Sequence, residues 1–486
     1  QTGKVDRAIA CYRAAIKLKP NLASLYLSLG ELLIQQNDTQ QAINLYQQGL
    51  KYFPRHGEIN FELARLLVKH KLWDRAIVCY QQAIQAGLNN WQVYYDFAEI
   101  LDRQHKYSEA ISSYQQALKL NPNLFAAWFK LAELLIRLKH WHQAAVACQQ
   151  GLKLDATQWQ IYHYLGIALL HQQQYSQAIE VYNRCLRLNP QAVDGYRNLG
   201  VALIAEKQWS QAIACYQEIA KYEPNNAELY RKIGEAAFEI KEWSTSLAAW
   251  NRAIKLCDRD SWLYHHLGMT LINLERWQEA SVALQKSIEL NPDFPWTYYH
   301  LGDALAAQQK WQESIAAYRY FLTKEANSYA YERLGDSLLK QIQPFSPTGK
   351  LIQAEACQCY HRAIEVNPDY LQPYYKLMQL KPYDPEIAFL LAETYARQEE
   401  WSTAIIFYQM GLQIDPNFPE AHLELGLVLE QLEQPDNAIA HYQTAIRLDP
   451  SENKYKHHLK RAKSKYNMSS ELGVRNSELG IQTFKN

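Results

Sequence analysis

Apolar and polar positions along the chain fall into pairs of helical stripes. Tyr94, Phe97, Ala98 and Leu101 are spaced i, i+3, i+4, i+7, which is one face of a helix; Ala110, Tyr114, Ala117 and Leu118 make a second face. Between them Arg103-Gln104-His105-Lys106 is a polar turn. The pair of stripes recurs every 34 residues. Tyr162, Leu165, Gly166, Leu169, Ala178, Tyr182, Cys185 and Pro190 reappear as Tyr196, Leu199, Gly200, Leu203, Ala212, Tyr216, Ile219 and Pro224. They return again as Tyr298, Leu301, Gly302, Leu305, Ser314, Tyr318 and Phe321. This predicts an all-α chain of helix–turn–helix units, each burying its apolar face only against its neighbours.

The slots have separable steric roles. Gly or Ala at the eighth position (Gly30, Ala64, Ala98, Ala132, Gly166, Gly200) and Ala at the twentieth (Ala42, Ala76, Ala110, Ala144) let helix A approach helix B closely. Large aromatics at the fourth and twenty-fourth positions fill the gap between units. Each such ring hides about 150–250 Å², or about 4–6 kcal/mol before entropy at about 25 cal/mol per Å². That accounts for 34 Tyr and 13 Trp in one chain without a cofactor. The seventeenth position (Trp73, Tyr107, Trp141, Tyr175, Trp209) is expected to open helix B and pack on the neighbouring turn. Proline at the thirty-second (Pro20, Pro54, Pro122, Pro190) ends helix B.

Read along the chain, residues 1–22 are a partial repeat with helix B only, and nine regular units fill 23–327. The unit at 328–370 is longer, and its extra piece, 341–350, holds two prolines and a glycine and is expected to be a loop between helix A and helix B. Residues 371–384 read as a degenerate half-unit, and two regular units follow at 385–452. Residues 453–466 read as a polar, basic capping helix. The tail, 467–486, repeats Ser-Glu-Leu-Gly and is expected to be disordered or loosely docked.

Charge and chemistry narrow the function. Lys+Arg and Asp+Glu balance at 50 each, so the net basic surface that bulk nucleic-acid binding needs is absent. Eight scattered cysteines, most on helix B, read as reduced thiols of a cytoplasmic protein, and no spacing completes a metal site. His140 and His142 flank Trp141 at a turn and lack a third ligand. No apolar run is long enough to span a membrane. Gly-rich phosphate loops, zinc-protease and nucleophile-elbow motifs are missing, so no catalytic residue and no cofactor is expected.

Eight slots in register over a dozen units resemble the tetratricopeptide repeat (TPR) family over about residues 1–452. The resemblance implies a right-handed superhelical α-solenoid of about twelve full units, plus the N-terminal half-unit and the capping helix. It also implies that helix A lines a concave groove for extended peptides or partner helices. Two family grips are not carried over. The Lys/Asn clamp for chaperone C-termini does not match the fifth positions Leu27, Phe61, Tyr95, Phe129, His163, Arg197 and Arg231. The Asn ladder of O-linked N-acetylglucosamine transferases finds only Asn198 at the sixth.

The inward positions of helix A should be the second, fifth, ninth, twelfth and thirteenth. The thirteenth gives Lys69, Arg103, Arg137 and His171 in four consecutive units, beside Phe61, Tyr95, Phe129 and His163 at the fifth. Such a basic ladder with aromatic shelves suits an acidic, partly apolar peptide. Glu99 and Glu133 lie four residues before Arg103 and Arg137, however, which equally suits ordinary i,i+4 pairs on one helix. Arg197 and Arg231 continue the fifth-position row, and Trp262, His265, Trp296 and Tyr299 make an aromatic stretch further on. These fourteen residues are the candidate partner-binding set of a non-catalytic scaffold, expected in a bacterial cytoplasm. Two alternatives stay open: the array is the substrate-recruiting arm of a larger enzyme of glycosyltransferase, methyltransferase or sulfotransferase type, or it self-associates through the solenoid ends.

Overall fold

The computed structural model describes residues 2–342 and 348–465, and it shows 27 helices (α1–α27) and no strand among them. The chain divides into two compact units, 1–249 and 250–486. In each, helices pair as the period predicts. In the first, α2 (Ala23–Gln35) pairs with α3 (Thr39–Tyr52), α4 (Gly57–Lys69) with α5 (Trp73–Gln85), and so on at the same spacing. Every well-populated helix contact within a unit joins helices adjacent in sequence or one apart. This is an all-α solenoid, with its core running as a seam between the A and B helices.

The turn between A and B is the same device in eleven pairs. After helix A one residue takes a left-handed conformation: Asn37, Lys71, His105, Lys139, Gln173, Lys207, Lys241, Glu275, Gln309, Glu399 and Glu433, with φ between 55° and 63°. Around Lys71 the amides of Lys71 and Leu72 donate to Val68 O and Leu67 O at 3.0 and 2.9 Å, a Schellman closure. The chain reverses within three residues, and helix B then opens on the seventeenth-position aromatic: Trp73, Tyr107, Trp141, Tyr175, Trp209. At the other end helix B stops two residues before its proline, as at Leu120 before Pro122 and Leu188 before Pro190.

That proline contributes a further link. Its carbonyl accepts a hydrogen bond from the fourth-position side chain of the next helix A: Tyr26 to Pro20 O at 3.1 Å, Trp128 to Pro122 O at 2.9 Å, Tyr374 to Pro368 O at 2.9 Å. Helix A is thereby pinned to the chain that enters it. The eighth-position glycines do what their size requires. A methyl group on Gly30 would lie 2.2 Å from the Tyr46 ring, and one on Gly166 2.5 Å from Tyr182. Both tyrosines are fully buried.

The irregular segment is α20 (Ser328–Gln341), α21 (Gly349–Val366) and α22 (Gln372–Leu380). Gln341 and Gly349-Lys350 are helical, so the expected loop over 341–350 is shorter than its sequence suggested: both flanking helices extend into it. Its Pro344 to Pro347 core lies outside the described residues, as does the tail 467–486. Helix α22 stands as a lone nine-residue helix before α23 (Pro385–Arg397) and α24 (Trp401–Ile414). After α25 (Pro419–Gln431) and α26 (Pro435–Leu448), α27 (453–465) covers the last pair. It buries Tyr455 and Ala462, and the Tyr455 hydroxyl donates to Glu420 at 2.7 Å.

Candidate functional site

In the fifth-position row of the first unit, Phe61, Tyr95 and His163 pack on helix B of their own repeats. Phe61 is 7% exposed and lies 6.1 Å from the Tyr80 ring, so it is a core residue with little to offer a partner. Tyr95 is half-buried against Tyr114 and donates its hydroxyl to Glu99 at 3.2 Å. Phe129 is half-buried beside Tyr164 at 5.6 Å. His163 sits among Trp159, Tyr164 and Tyr182, and burial lowers its pKa. Arg197 donates to Glu223 at 2.6 Å, and Arg231 pairs with Glu228 and Glu235 at 3.4 and 3.1 Å.

The thirteenth-position cations lie against the ring that opens helix B of the preceding repeat. Arg103 lies over Trp73 at 5.8 Å, Arg137 over Tyr107 at 5.0 Å, and His171 stacks on Trp141 at 4.0 Å. Lys69 is exposed, and the repeat before it has Thr39 where the others have a ring. The i,i+4 pairs expected from Glu99 and Glu133 do not form: Arg137 pairs with Asp102, and Glu133 takes Lys130 at 3.0 Å. Glu62 and Asp96 hold Arg65, at 3.2 Å and 3.6 Å, and Glu99 stands near Asp96. Burial, with Glu99 and Glu62 adding to it and Arg65 opposing, pushes Asp96 up to about 6. With Lys69 and Arg103 at the ends of the same two helices, this stretch carries both signs rather than the purely cationic lining expected for an acidic peptide.

The aromatic stretch of the second unit is largely a packing layer. Trp262 stacks on His266 at 3.7 Å and meets Trp250 edge-on at 5.5 Å. Trp296 packs on Phe321 at 5.1 Å, and Tyr299 on Phe321 and Tyr318 at 5.4 and 6.0 Å. His265 is 3% exposed, so it is closed to a partner; a 3.0 Å hydrogen bond joins its Nδ1 to Thr297 Oγ1. Desolvation, with His300 and His266 nearby, drives His265 down to about 3, and the same cause takes His300 to about 4. Both imidazoles are neutral near pH 7. Beside them the Tyr318 hydroxyl donates to Asp303 at 2.6 Å.

One site escaped the sequence reading. Between α23, α24 and α25 a cavity of about 270 Å³ is lined by Glu386, Phe389, Leu390, Glu393, Tyr408, Phe418, Glu420, Ala421 and Glu424. Glu386, Phe389 and Glu393 are the second, fifth and ninth positions of their repeat, and Glu420 is the second of the next. The inward-position rule that picked out Phe61 and Tyr95 reaches them when carried to the last two repeats.

Among the described residues no group of three or more His, Cys, Asp or Glu could hold a metal ion, and no helix is long and apolar enough to cross a membrane. His140 and His142 are both exposed. All eight cysteines are free; Cys11 and Cys257 are exposed and the other six buried.

Tetratricopeptide repeat models match residues 33–96, 169–235, 296–328 and 419–452, and a TPR repeat model matches 1–37, 100–139 and 270–309. A search of curated proteins gives no match. Among solved structures, MamA protein is 24% identical over 36% of this chain and 90% of its own, with a TM-score of 0.33. The Naa15/Naa10 structure bound to HypK-THB is 13% identical over 96% of this chain and 95% of its own, with a TM-score of 0.38. Yeast Tom70 is 13% identical over 88% of this chain and 99% of its own, with a TM-score of 0.32. With helix pairs closed by one turn every 34 residues and family models matching along most of its length, this chain belongs to the tetratricopeptide repeat family.

Proposed function

We propose that the chain is a non-catalytic protein–protein interaction scaffold that holds a partner peptide or helix along the inward face of its A helices. The observation that carries this reading is the row of side chains left partly open there, repeat after repeat: Asp96, Glu99, Phe129, Lys130 and Glu133 in the first unit, Glu393 and Glu424 in the second. Such a row offers graded apolar and charged contacts over an extended length, which suits a segment of chain better than a compact small molecule. The eight free thiols support a reducing, cytoplasmic setting.

The test is site-specific photo-crosslinking in the source cell. A benzophenone side chain at Lys130 or Glu393 should give a discrete adduct with a partner, and one at the outward-facing Val78 or Val282 should not. Adducts of equal yield from both faces, or none from the inward one, would sink the reading.

A further inference from the structure

The cavity between α23, α24 and α25 differs from ordinary packing between repeats. Its floor is apolar: the Phe389 and Phe418 rings lie 4.8 Å apart with Leu390 beside them. Its walls carry four carboxylates, Glu386, Glu393, Glu420 and Glu424. Glu386, Glu393 and Glu424 have no ion-pair partner among the described residues; Lys454, with its Nζ 3.9 Å from Glu420, is the one cation paired to the set. Four negative charges against one positive leave a surplus of three.

A second observation points into the same space. Tyr408 lines the cavity and is 2% exposed, and its buried hydroxyl has no hydrogen-bond partner. In the same unit the corresponding tyrosines are satisfied: Tyr318 donates to Asp303, Tyr360 to Asp336 and Tyr442 to Glu430. An unpaired hydroxyl is not in itself a site, since Tyr46, Tyr114 and Tyr182 share that state. It points to a ligand here because it stands beside an unneutralised acidic wall and an apolar floor whose open part is Leu390 and the half-buried Phe418. Glu393 and Glu424 both act on the Tyr408 hydroxyl, so acceptor oxygens converge on one region of the cavity.

We propose that this cavity receives one lysine or arginine side chain presented by the scaffold's partner peptide. The assignment rests on the scaffold reading and specifies what one part of that surface selects. A long basic side chain answers each feature at once. Its methylenes lie on Leu390 and Phe418, its cationic head faces the carboxylates, and one of its N–H groups gives the unpaired Tyr408 oxygen a donor. At about 270 Å³ the cavity lies just under the volume of drug-sized pockets, roughly 300–1,000 Å³, which fits a single side chain. An aliphatic side chain would leave the carboxylates and the hydroxyl unanswered, and an acidic one would meet like charge.

The experiment uses the full chain with isotope-labelled phenylalanine. N-acetyl-arginine amide and N-acetyl-lysine amide are titrated in, with N-acetyl-norleucine amide as the uncharged control. The Phe389 and Phe418 ring resonances should shift saturably with the two cationic amides and stay in place with norleucine. The paired substitution Glu393→Gln and Glu424→Gln should weaken binding at least about tenfold, with circular dichroism confirming that the helices persist. Tyr408→Phe, which leaves every charge in place, should weaken it by a smaller factor. Equal shifts with norleucine, or unchanged affinity in the Gln pair, would overturn the assignment. If the amides leave the rings unmoved while crosslinks still form at Lys130, the pocket is refuted and the scaffold stands. Saturable amide binding with no crosslink at any inward position would keep the pocket and refute the scaffold.

Discussion

The imidazole of His171 lies flat on the indole of Trp141, with ring centroids 4.0 Å apart and planes 12° from parallel. Arg137 on Tyr107 and Arg103 on Trp73 make the same contact one and two repeats earlier. The last residue of each of these three A helices thus closes over the first residue of the preceding helix B, and a row that reads as a ligand ladder also joins repeat to repeat. A double-mutant cycle on Arg137 and Tyr107, read by urea unfolding, should give a coupling of about 0.5–1 kcal/mol. A coupling near zero would mean the contact is incidental and the cation free for a partner.

Gly166 and Tyr182 set the distance between helices in their repeat. Adding a methyl at Gly166 brings it 2.5 Å from a ring that is fully buried and has no flexible end to move aside. Gly166→Ala should therefore cost about 1–3 kcal/mol. In a Tyr182→Cys background the same change should cost much less, because Ala132 and Cys148 already form that pairing in the preceding repeat. Equal costs in both backgrounds would refute the steric account.

The eleven left-handed turn residues include no glycine. A side chain in that conformation costs roughly 1 kcal/mol that glycine avoids, offset in part by glycine's larger loss of chain entropy. Lys207→Gly and Lys241→Gly should each raise the urea midpoint, the opposite of what glycine does within a helix. A lowered midpoint would show that these side chains hold the turn by contacts of their own.

Acid and base act on the two units with opposite sign. Asp96 ordinarily titrates near 3.8 and is held up at about 6 in the fold. Between these values the folded chain keeps a proton that the unfolded chain has released, so this contribution to stability falls as pH rises through the window. Asp96→Asn should thus gain more against wild type at pH 7 than at pH 4, and carbon NMR of the carboxyl should show a midpoint near 6.

His265 and His300 run the other way. They titrate at about 3 and about 4, below the ordinary 6.5, so the unfolded chain takes protons first and stability is lost as pH falls from 6.5 towards 4. Hydrogen-exchange protection in α16 (Ser261–Asn273) and α18 (Pro295–Ala307), measured against the intrinsic exchange rate at each pH, should fall between pH 7 and 5. The change should be smaller in the His265→Asn, His300→Gln protein. An unaltered pH response would mean that other groups carry it.

The helices were legible in the sequence because a period of 34 fixes both the A–B pairing and the side each residue faces. Trp73 and Tyr107 open their helices, and Pro122 and Pro190 follow theirs, as spacing alone required. Periodicity says how far inward a residue points, but not what it touches. Arg137 pairs with Asp102, 35 positions back, and no reading of a single helix surface finds that partner. His265 stands next to Tyr264 in the sequence yet is closed over by Phe294 at the end of its repeat and by Thr297 of the following one. The anionic cavity of the second unit was hidden for a related reason. Glu393 and Glu424 stand on different helices, and only stacking brings their charges to one place.

Contacts that reach no further than the next helix or two also shape how the chain meets a load. A domain with strands paired across its length resists pulling until it fails at once. Here each pair can peel away while those beyond it keep their own contacts. Stretched, the chain should extend in a staircase, with each 34-residue pair releasing roughly 110–120 Å of length. Elasticity of that kind lets a bound partner tug on one end without loosening the grip of the other.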